Sequence, residues 1–262
     1  ELNIDDPLLE ANLRVSLDFA LTKLSAGQNS DGGWGWFSGM DSNPVVTAYA
    51  VYGLIEAQEA GFDIDRTMID RAVAFLRTTF INPTEDTETW RLNRQAFYFY
   101  VLTRDSAGRY APSRAEVDSL YRVRLEMNYD AKAYLLMAYN ALNGDHSDQI
   151  NALSSDLISG AKLSATGAHW EEDYHDWWNW SSDTRTTAIA LSALLESDPD
   201  SELLPNAVRW LMVARRGDHW VTTQETSWSV MALTDWMVAT NELQGNYDYA
   251  VVLNSVEQAT GN

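Results

Sequence analysis

Gly32-Gly33-Trp34-Gly35-Trp36 leads, eleven residues later, into Thr47-Ala48-Tyr49-Ala50-Val51-Tyr52-Gly53-Leu54, and this pairing of a glycine–tryptophan turn with a small-residue helix decides the fold. It recurs twice. His169-Trp170, and then Trp180, precede Thr187-Ala188-Ile189-Ala190-Leu191-Ser192-Ala193-Leu194. Gly217-Asp218-His219-Trp220 precedes Thr226-Ser227-Trp228-Ser229-Val230-Met231-Ala232-Leu233. Weaker echoes run from Gln95-Ala96 to Leu102 and around Asp130 to Met137. The period is roughly forty residues, the length of a helical hairpin. Ala, Ser and Thr at the start of each such helix let helices approach closely, as at the crowded centre of a ring. The expected fold is all-α: an alpha/alpha toroid of repeated helical hairpins, with aromatic turns plugging one rim.

Outward from these repeats, apolar residues at helical spacing predict helices over 7–24, 44–60, 65–80, 89–103, 113–124, 129–142, 147–159, 184–195, 203–214 and 226–243. Each is bounded by Gly, Pro, Asn, Asp or Ser. In the first, Asp5 or Asp6 would cap, Pro7 would open the first turn, and Leu9, Leu13, Leu17, Ala20 and Leu24 would mark the buried face. The tail differs. Tyr247, Tyr249, Val251 and Leu253 alternate with Asp248, Ala250, Val252 and Asn254 after Gly245, the period of a strand, with no partner evident in the chain. The organisation expected is a helical toroid over 1–244, then a strand or tail over 245–262 leading into a following β domain.

The composition narrows function. The chain has 262 residues and a net charge of −20, spread along its length, which repels phosphate backbones and anionic headgroups. No nucleic-acid partner is therefore expected, and no direct membrane insertion by this domain, since no apolar run approaches the roughly 20 residues that span a bilayer. The absence of cysteine excludes disulfides, thiolate metal sites and cysteine nucleophiles. A start at Glu1 without methionine suggests a processed protein or a piece of a longer one.

Gln28-Asn29-Ser30-Asp31-Gly32-Gly33-Trp34-Gly35-Trp36 resembles the Gln-to-Trp repeat of terpenoid-cyclase and prenyltransferase toroids. A closer resemblance, over most of the chain, is to the thioester domain of bacterial alpha-2-macroglobulins. It rests on Gln28 to Trp36, on the run from Thr47 ending Leu54-Ile55-Glu56-Ala57-Gln58-Glu59-Ala60-Gly61, on Trp180-Ser181-Ser182-Asp183-Thr184, and on Arg215-Arg216-Gly217-Asp218-His219-Trp220 leading to Thr223-Gln224-Glu225-Thr226-Ser227-Trp228. The resemblance implies the helical domain of a broad-spectrum protease inhibitor in host defence, which traps proteases that cut a bait region elsewhere in the parent. It implies an extracytoplasmic, periplasmic setting in a membrane-anchored lipoprotein, with adjoining domains and, through the parent, target proteases as partners. The family's Cys-x-Glu-Gln thioester motif is absent here. Ser255-Val256-Glu257-Gln258 imitates it at the wrong end, and a serine ester would not be comparably reactive. Met40-Asp41-Ser42-Asn43, matching a stretch that carries a transfer histidine in some complement-like domains, has none, which implies direct attack by amines in any parent with a thioester.

Catalytic chemistry is not expected, nor a cofactor. His169 and His175 flank Glu171, Glu172 and Asp173, a spacing open to metal ligation, but a solvated loop accounts for it and no metal site is assigned. Asp41 and Asp183 stand before inner helices, where helix capping accounts for both. His219 and Trp220 are expected to pack in their turn. The candidate interaction surface is Trp170, Tyr174, Trp177, Trp178 and Trp180, read either as a ligand platform or, better, as a rim plug or interface to adjoining domains. The alternative is a toroid enzyme acting on an isoprenoid or polysaccharide, with Asp183 and Glu171 around a central cavity. A filled centre would exclude it.

Overall fold

A computed structural model describes residues 6–172, 174–242, 249–253 and 256–261. Asp5, Asp173, Gly245, Tyr247, Asp248, Asn254 and Ser255 lie outside the described residues. Among the described residues, ten α-helices alternate along the chain between an outer and an inner layer, as five consecutive outer–inner pairs. They are α1 (Pro7–Gly27) with α2 (Pro44–Glu59), α3 (Arg66–Arg77) with α4 (Thr89–Thr103), and α5 (Arg114–Tyr121) with α6 (Tyr129–Ala141). The last two are α7 (Ser147–Gly160) with α8 (Asp183–Ser197), and α9 (Leu203–Ala214) with α10 (Thr223–Thr240).

Burial separates the two layers. The inner helices α2, α4, α6 and α8 are buried nearly all round, Val51, Leu54, Phe99, Leu135 and Ile189 among their core residues. The outer helices bury one stripe: Met68, Ile69, Ala72, Val73 and Leu76 in α3, and Leu204, Ala207 and Leu211 in α9. That is the burial pattern of a helix with solvent on its far side. Neighbouring inner helices pack α2 on α4, α4 on α6, α6 on α8 and α8 on α10, with the ring brought round by Tyr52 of α2 stacking on Trp228 of α10 at 5.7 Å.

The repeated tryptophan has a structural task in each of its three turns. Trp34, Trp170 and Trp220 donate their indole N–H to Leu24 O (2.8 Å), Leu157 O (2.8 Å) and Leu211 O (3.0 Å). Each acceptor lies in the last turn of its outer helix, where carbonyls have no helical partner. The backbone N–H of the same tryptophan then donates to Thr47, Thr187 or Thr226 Oγ1, at 2.9, 3.2 and 3.0 Å, early in the following inner helix. One residue thus ties the end of one helix to the start of the next. In the hairpin of α3 and α4, Gln95 takes over, accepting from Ile81 N (2.6 Å) and donating to Ile81 O (3.0 Å).

Glycine is required where these turns touch outer helices. Gly32 has φ +93° and a Cβ there would overlap the Arg71 carbonyl; Gly167, at φ +131°, lies equally close to the Asn206 carbonyl.

Several expectations are corrected. Leu9 and Leu13 are exposed, and α1 has no fully buried residue; only its last turns, through Leu21 and Leu24, pack on the core. The helix caps are Asn43 and Ser182, not Asp41 and Asp183: Asn43 Oδ1 accepts from Val45 N and Val46 N, and Ser182 Oγ from Arg185 N. A small hairpin, β1 (Lys162–Ser164) with β2 (Gly167–His169), was not anticipated between α7 and the aromatic loop. The tail strand is not alone either. β3 (Tyr249–Leu253) pairs antiparallel with β4 (Val256–Gly261), so Val256, Glu257 and Gln258 of the thioester-like tetrapeptide are strand residues.

Candidate functional site

Rings from four inner helices meet on the toroid axis. Tyr49 lies 4.6 Å from Phe97, Phe97 5.2 Å from Tyr134, and Tyr134 5.5 Å from Trp228. The fifth inner helix, α8, contributes a charge. Arg185, 2 % exposed, donates from Nη1 to Asp130 Oδ2 at 2.5 Å and from Nη2 to Tyr134 OH at 2.9 Å and Tyr49 OH at 3.4 Å. A guanidinium keeps its proton even when buried. Burial pushes the Asp130 carboxyl up while Arg185 pulls it back down. Asp130 Oδ1 and Arg185 Nε have no partner among the described residues. At this level the axis is filled by side chains.

Around this plug, at the N-terminal ends of the inner helices, lies the aromatic loop. It is bolted down by polar bonds. Asp176 is fully buried and accepts from Asn93 Nδ2 (2.9 Å) and Asn179 Nδ2 (2.6 Å), while Asn179 Nδ2 also donates to Trp90 O (2.7 Å). Arg94 donates to Asn179 Oδ1 and Trp178 O, both at 3.1 Å, and its guanidinium sits 4.7 Å from the Trp90 ring centre. Glu172 Oε1 accepts from Tyr129 N at 2.6 Å, at the start of α6; burial and then the charge of Asp130 push its carboxyl up to about 8.

The five candidate surface residues divide. Trp170 is fully buried as a turn anchor, which removes it from any surface. Tyr174, Trp177 and Trp178 are exposed, Trp177 at 77 %. Trp180 is half-buried at φ +54°, stacked on Tyr49 (5.4 Å) and edge-on to Trp36 (5.1 Å). Trp36, Trp177, Trp180, Thr223 and Glu225 line a cavity of about 470 Å³ on this rim. Phe37, the next residue after Trp36 in the loop between α1 and α2, is 75 % exposed. Sequence reading had placed Trp36 in the repeat but not on this face; its exposed neighbour Phe37 was the available signal.

The remaining candidates are dispersed. Glu171 accepts from Lys162 Nζ (2.5 Å) and His169 Nε2 (2.8 Å), and these partners hold its carboxyl down to about 2, which unfits it as an acid. His169 stacks on Trp210 at 4.7 Å and His175 packs edge-on against Trp177 at 4.1 Å. Asp183, in the first turn of α8, has its carboxyl raised by burial. Trp220 is buried as expected, but His219 is exposed and paired with Asp218 at 2.8 Å. The sequence does not mark Arg185 and Asp130 as a pair: each stands in the polar first turn of its helix, beside Asp183, Thr184 and Thr186 or beside Lys132, where a solvated charge is the ordinary reading.

No family model matches the chain. Relatives do. An alpha-2-macroglobulin homologue of Yersinia pestis is 26 % identical over 97 % of this chain, and the alpha-2-macroglobulin of Thermotoga maritima 25 % identical over 86 %. The chain spans only 12 % of the length of each. Among solved structures, native Escherichia coli alpha-2-macroglobulin, from domain MG7 to the C-terminus, superposes with a TM-score of 0.70 at 22 % identity, covering 95 % of this chain and 37 % of that one. Salmonella alpha-2-macroglobulin reacted with methylamine gives 0.68 at 21 %, covering 85 % and 14 %. By sequence along nearly its whole length, and by fold, this chain is similar to one segment of bacterial alpha-2-macroglobulins.

Proposed function

We propose that the chain is the thioester-type helical toroid of a bacterial alpha-2-macroglobulin-like protease trap, a structural module without catalysis of its own, spanning 1–244 and followed by strands of a further domain. The observation that carries this reading is the similarity to alpha-2-macroglobulins over 97 % of the chain. The plug favours it over a toroid enzyme with Asp183 and Glu171 around a central cavity, because toward the N-terminal ends of the inner helices the axis is taken by Tyr49, Phe97, Tyr134, Trp228 and the Arg185–Asp130 pair. The setting is extracytoplasmic, periplasmic and membrane-anchored through the parent. No described helix is long and apolar enough to cross a membrane.

Within this reading the rim of Trp36, Phe37, Tyr174, Trp177 and Trp178 is a face that meets adjoining parts of the parent. Exposed apolar clusters of this kind mark interfaces. So does the N-terminal part of α1, where Leu8, Leu13, Val15 and Phe19 are all more than half exposed.

The test uses the full-length parent. Mixed with trypsin, it is expected to block cleavage of a large protein substrate while leaving a small chromogenic substrate accessible. Unimpeded cleavage of both would overturn the trap. Thiol titration before and after methylamine then reads the mode: a released thiol with a methylamine adduct on one glutamine means covalent capture, and neither means enclosure alone.

A further inference from the structure

The other end of the toroid holds a larger cavity, about 650 Å³, at the C-terminal ends of the inner helices. All five inner helices contribute to it. Its floor is aromatic: Tyr52 and Trp228 stack nearly parallel, at 8°, with Tyr100 5.8 Å from Tyr52. Its wall is charged and unbalanced. The single arginine, Arg104, donates to Glu56 at 2.8 Å and lies 5.8 Å from the Tyr100 ring, so it is already committed. Glu196 of α8 and Asp235 of α10 face the same space, and neither has an ion-pair partner within 4 Å among the described residues. Asp235 accepts only a hydroxyl bond, from Ser192 Oγ at 3.2 Å. Burial pushes both carboxyls up, the behaviour of acids short of a counter-ion.

These features select a ligand class. An anion is repelled by Glu196, which is hydrogen-bonded to Asn140, and by Asp235, because the one arginine, Arg104, already paired with Glu56, offsets their two charges only in part. A hard metal ion wants a shell of six or more oxygens, whereas this floor is lined by the aromatic rings of Tyr52, Tyr100 and Trp228 and by Met231. An organic cation satisfies both parts, since its charge is attracted to ring faces and to the carboxylates together, and its carbon skeleton packs against the apolar lining. The volume suits a small molecule or a single long side chain.

We propose that this mouth binds an organic ammonium or guanidinium group, from a free amine or from a lysine or arginine side chain of a protein, with Trp228 and Tyr52 beneath the cation and Glu196 and Asp235 as its counter-ions. The site is independent of the protease-trap reading, because it rests only on the cavity of this chain.

Agmatine, carrying a guanidinium and an ammonium, is titrated calorimetrically into the purified chain, alongside a short serine–glycine peptide bearing one central arginine. Saturable one-site binding of at least one probe is expected, weakened about tenfold or more in the Glu196→Gln/Asp235→Asn double variant. The chain's net charge of −20 attracts any cation, so Glu10→Gln/Glu85→Gln, which removes two exposed charges, is the control and is expected to bind as the parent chain does. Tighter binding of the peptide identifies a protein side chain as the source; tighter binding of agmatine identifies a free amine. Equal weakening in both variants, or no saturable binding of either probe, overturns the proposal. Should the double variant misfold, carbodiimide coupling of agmatine to the unaltered chain decides: amide formation concentrated at Glu196 or Asp235 supports the site, and labelling that merely follows exposure refutes it.

Discussion

At the scale of single residues, the three tryptophans of the repeated turns, Trp34, Trp170 and Trp220, act as struts between successive helices, and the exposed ones do not. Trp170→Phe keeps most of the ring volume but leaves the Leu157 carbonyl without its donor in a dry environment. A loss of about 1–3 kcal/mol in unfolding free energy is expected, read from urea denaturation. Trp178→Ala, whose ring is largely in solvent, is expected to cost under about 0.5–1 kcal/mol in the same assay. Equal costs would remove the distinction between strut and surface. The axial ion pair allows a sharper comparison. Asp130→Asn strands a buried guanidinium and should destabilise by about 3–5 kcal/mol. Asp130→Leu combined with Arg185→Met removes both charges and is expected to recover much of that loss.

At the scale of elements, two helix starts and one loop carry testable weight. α10 opens with a capping box, Thr222 Oγ1 accepting from Glu225 N and Glu225 accepting from Thr222 N, both at 3.1 Å. Thr222→Ala should cost about 1 kcal/mol. The aromatic loop reaches α6 through Glu172, whose folded-state carboxyl titrates at about 8 against an unfolded value near 4.5. The folded chain therefore holds a proton that the unfolded chain has lost, and this contribution to stability is complete below about 4.5 and disappears as pH rises through about 8. Glu172→Gln keeps the acceptor for Tyr129 N. It is expected to flatten the fall in urea midpoint between pH 5 and pH 9; an unchanged slope would mean that Glu172 is ionised in the fold. Element positions were largely legible beforehand. The expected bounds 89–103 and 203–214 coincide with α4 and α9, because Gly, Pro and capping residues stop helices locally. β1 and β2 were not legible, because three-residue strands are too short to show alternation.

At the scale of the molecule, apolar surface is concentrated on α1 and on the N-terminal rim. In isolation the chain is expected to self-associate through α1, and Leu9→Glu/Leu13→Glu to shift it toward monomer in sedimentation velocity with little change in thermal stability. Unchanged association would assign the contact elsewhere. The same substitutions in the full-length parent are expected to destabilise it, because there the face meets neighbouring chain.

The sequence by itself determined the helical hairpins, their period and the turns that join them, since these depend on local periodicity, capping and glycine stereochemistry. It also marked which threonines and tryptophans repeat. Only the tertiary structure decided what each repeated aromatic does. Trp170 and Trp177 stand in one loop, but one indole reaches a helix-end carbonyl and the other reaches solvent, and local sequence is blind to that difference. The filling of the axis is likewise a tertiary result. Arg185 and Asp130 stand 55 residues apart and meet only when five helices close round them. The extent of burial of α1 is tertiary too: its apolar spacing is a sound helical signal, but only its last turns, through Leu21 and Leu24, reach the core, and Leu9 and Leu13 are left exposed.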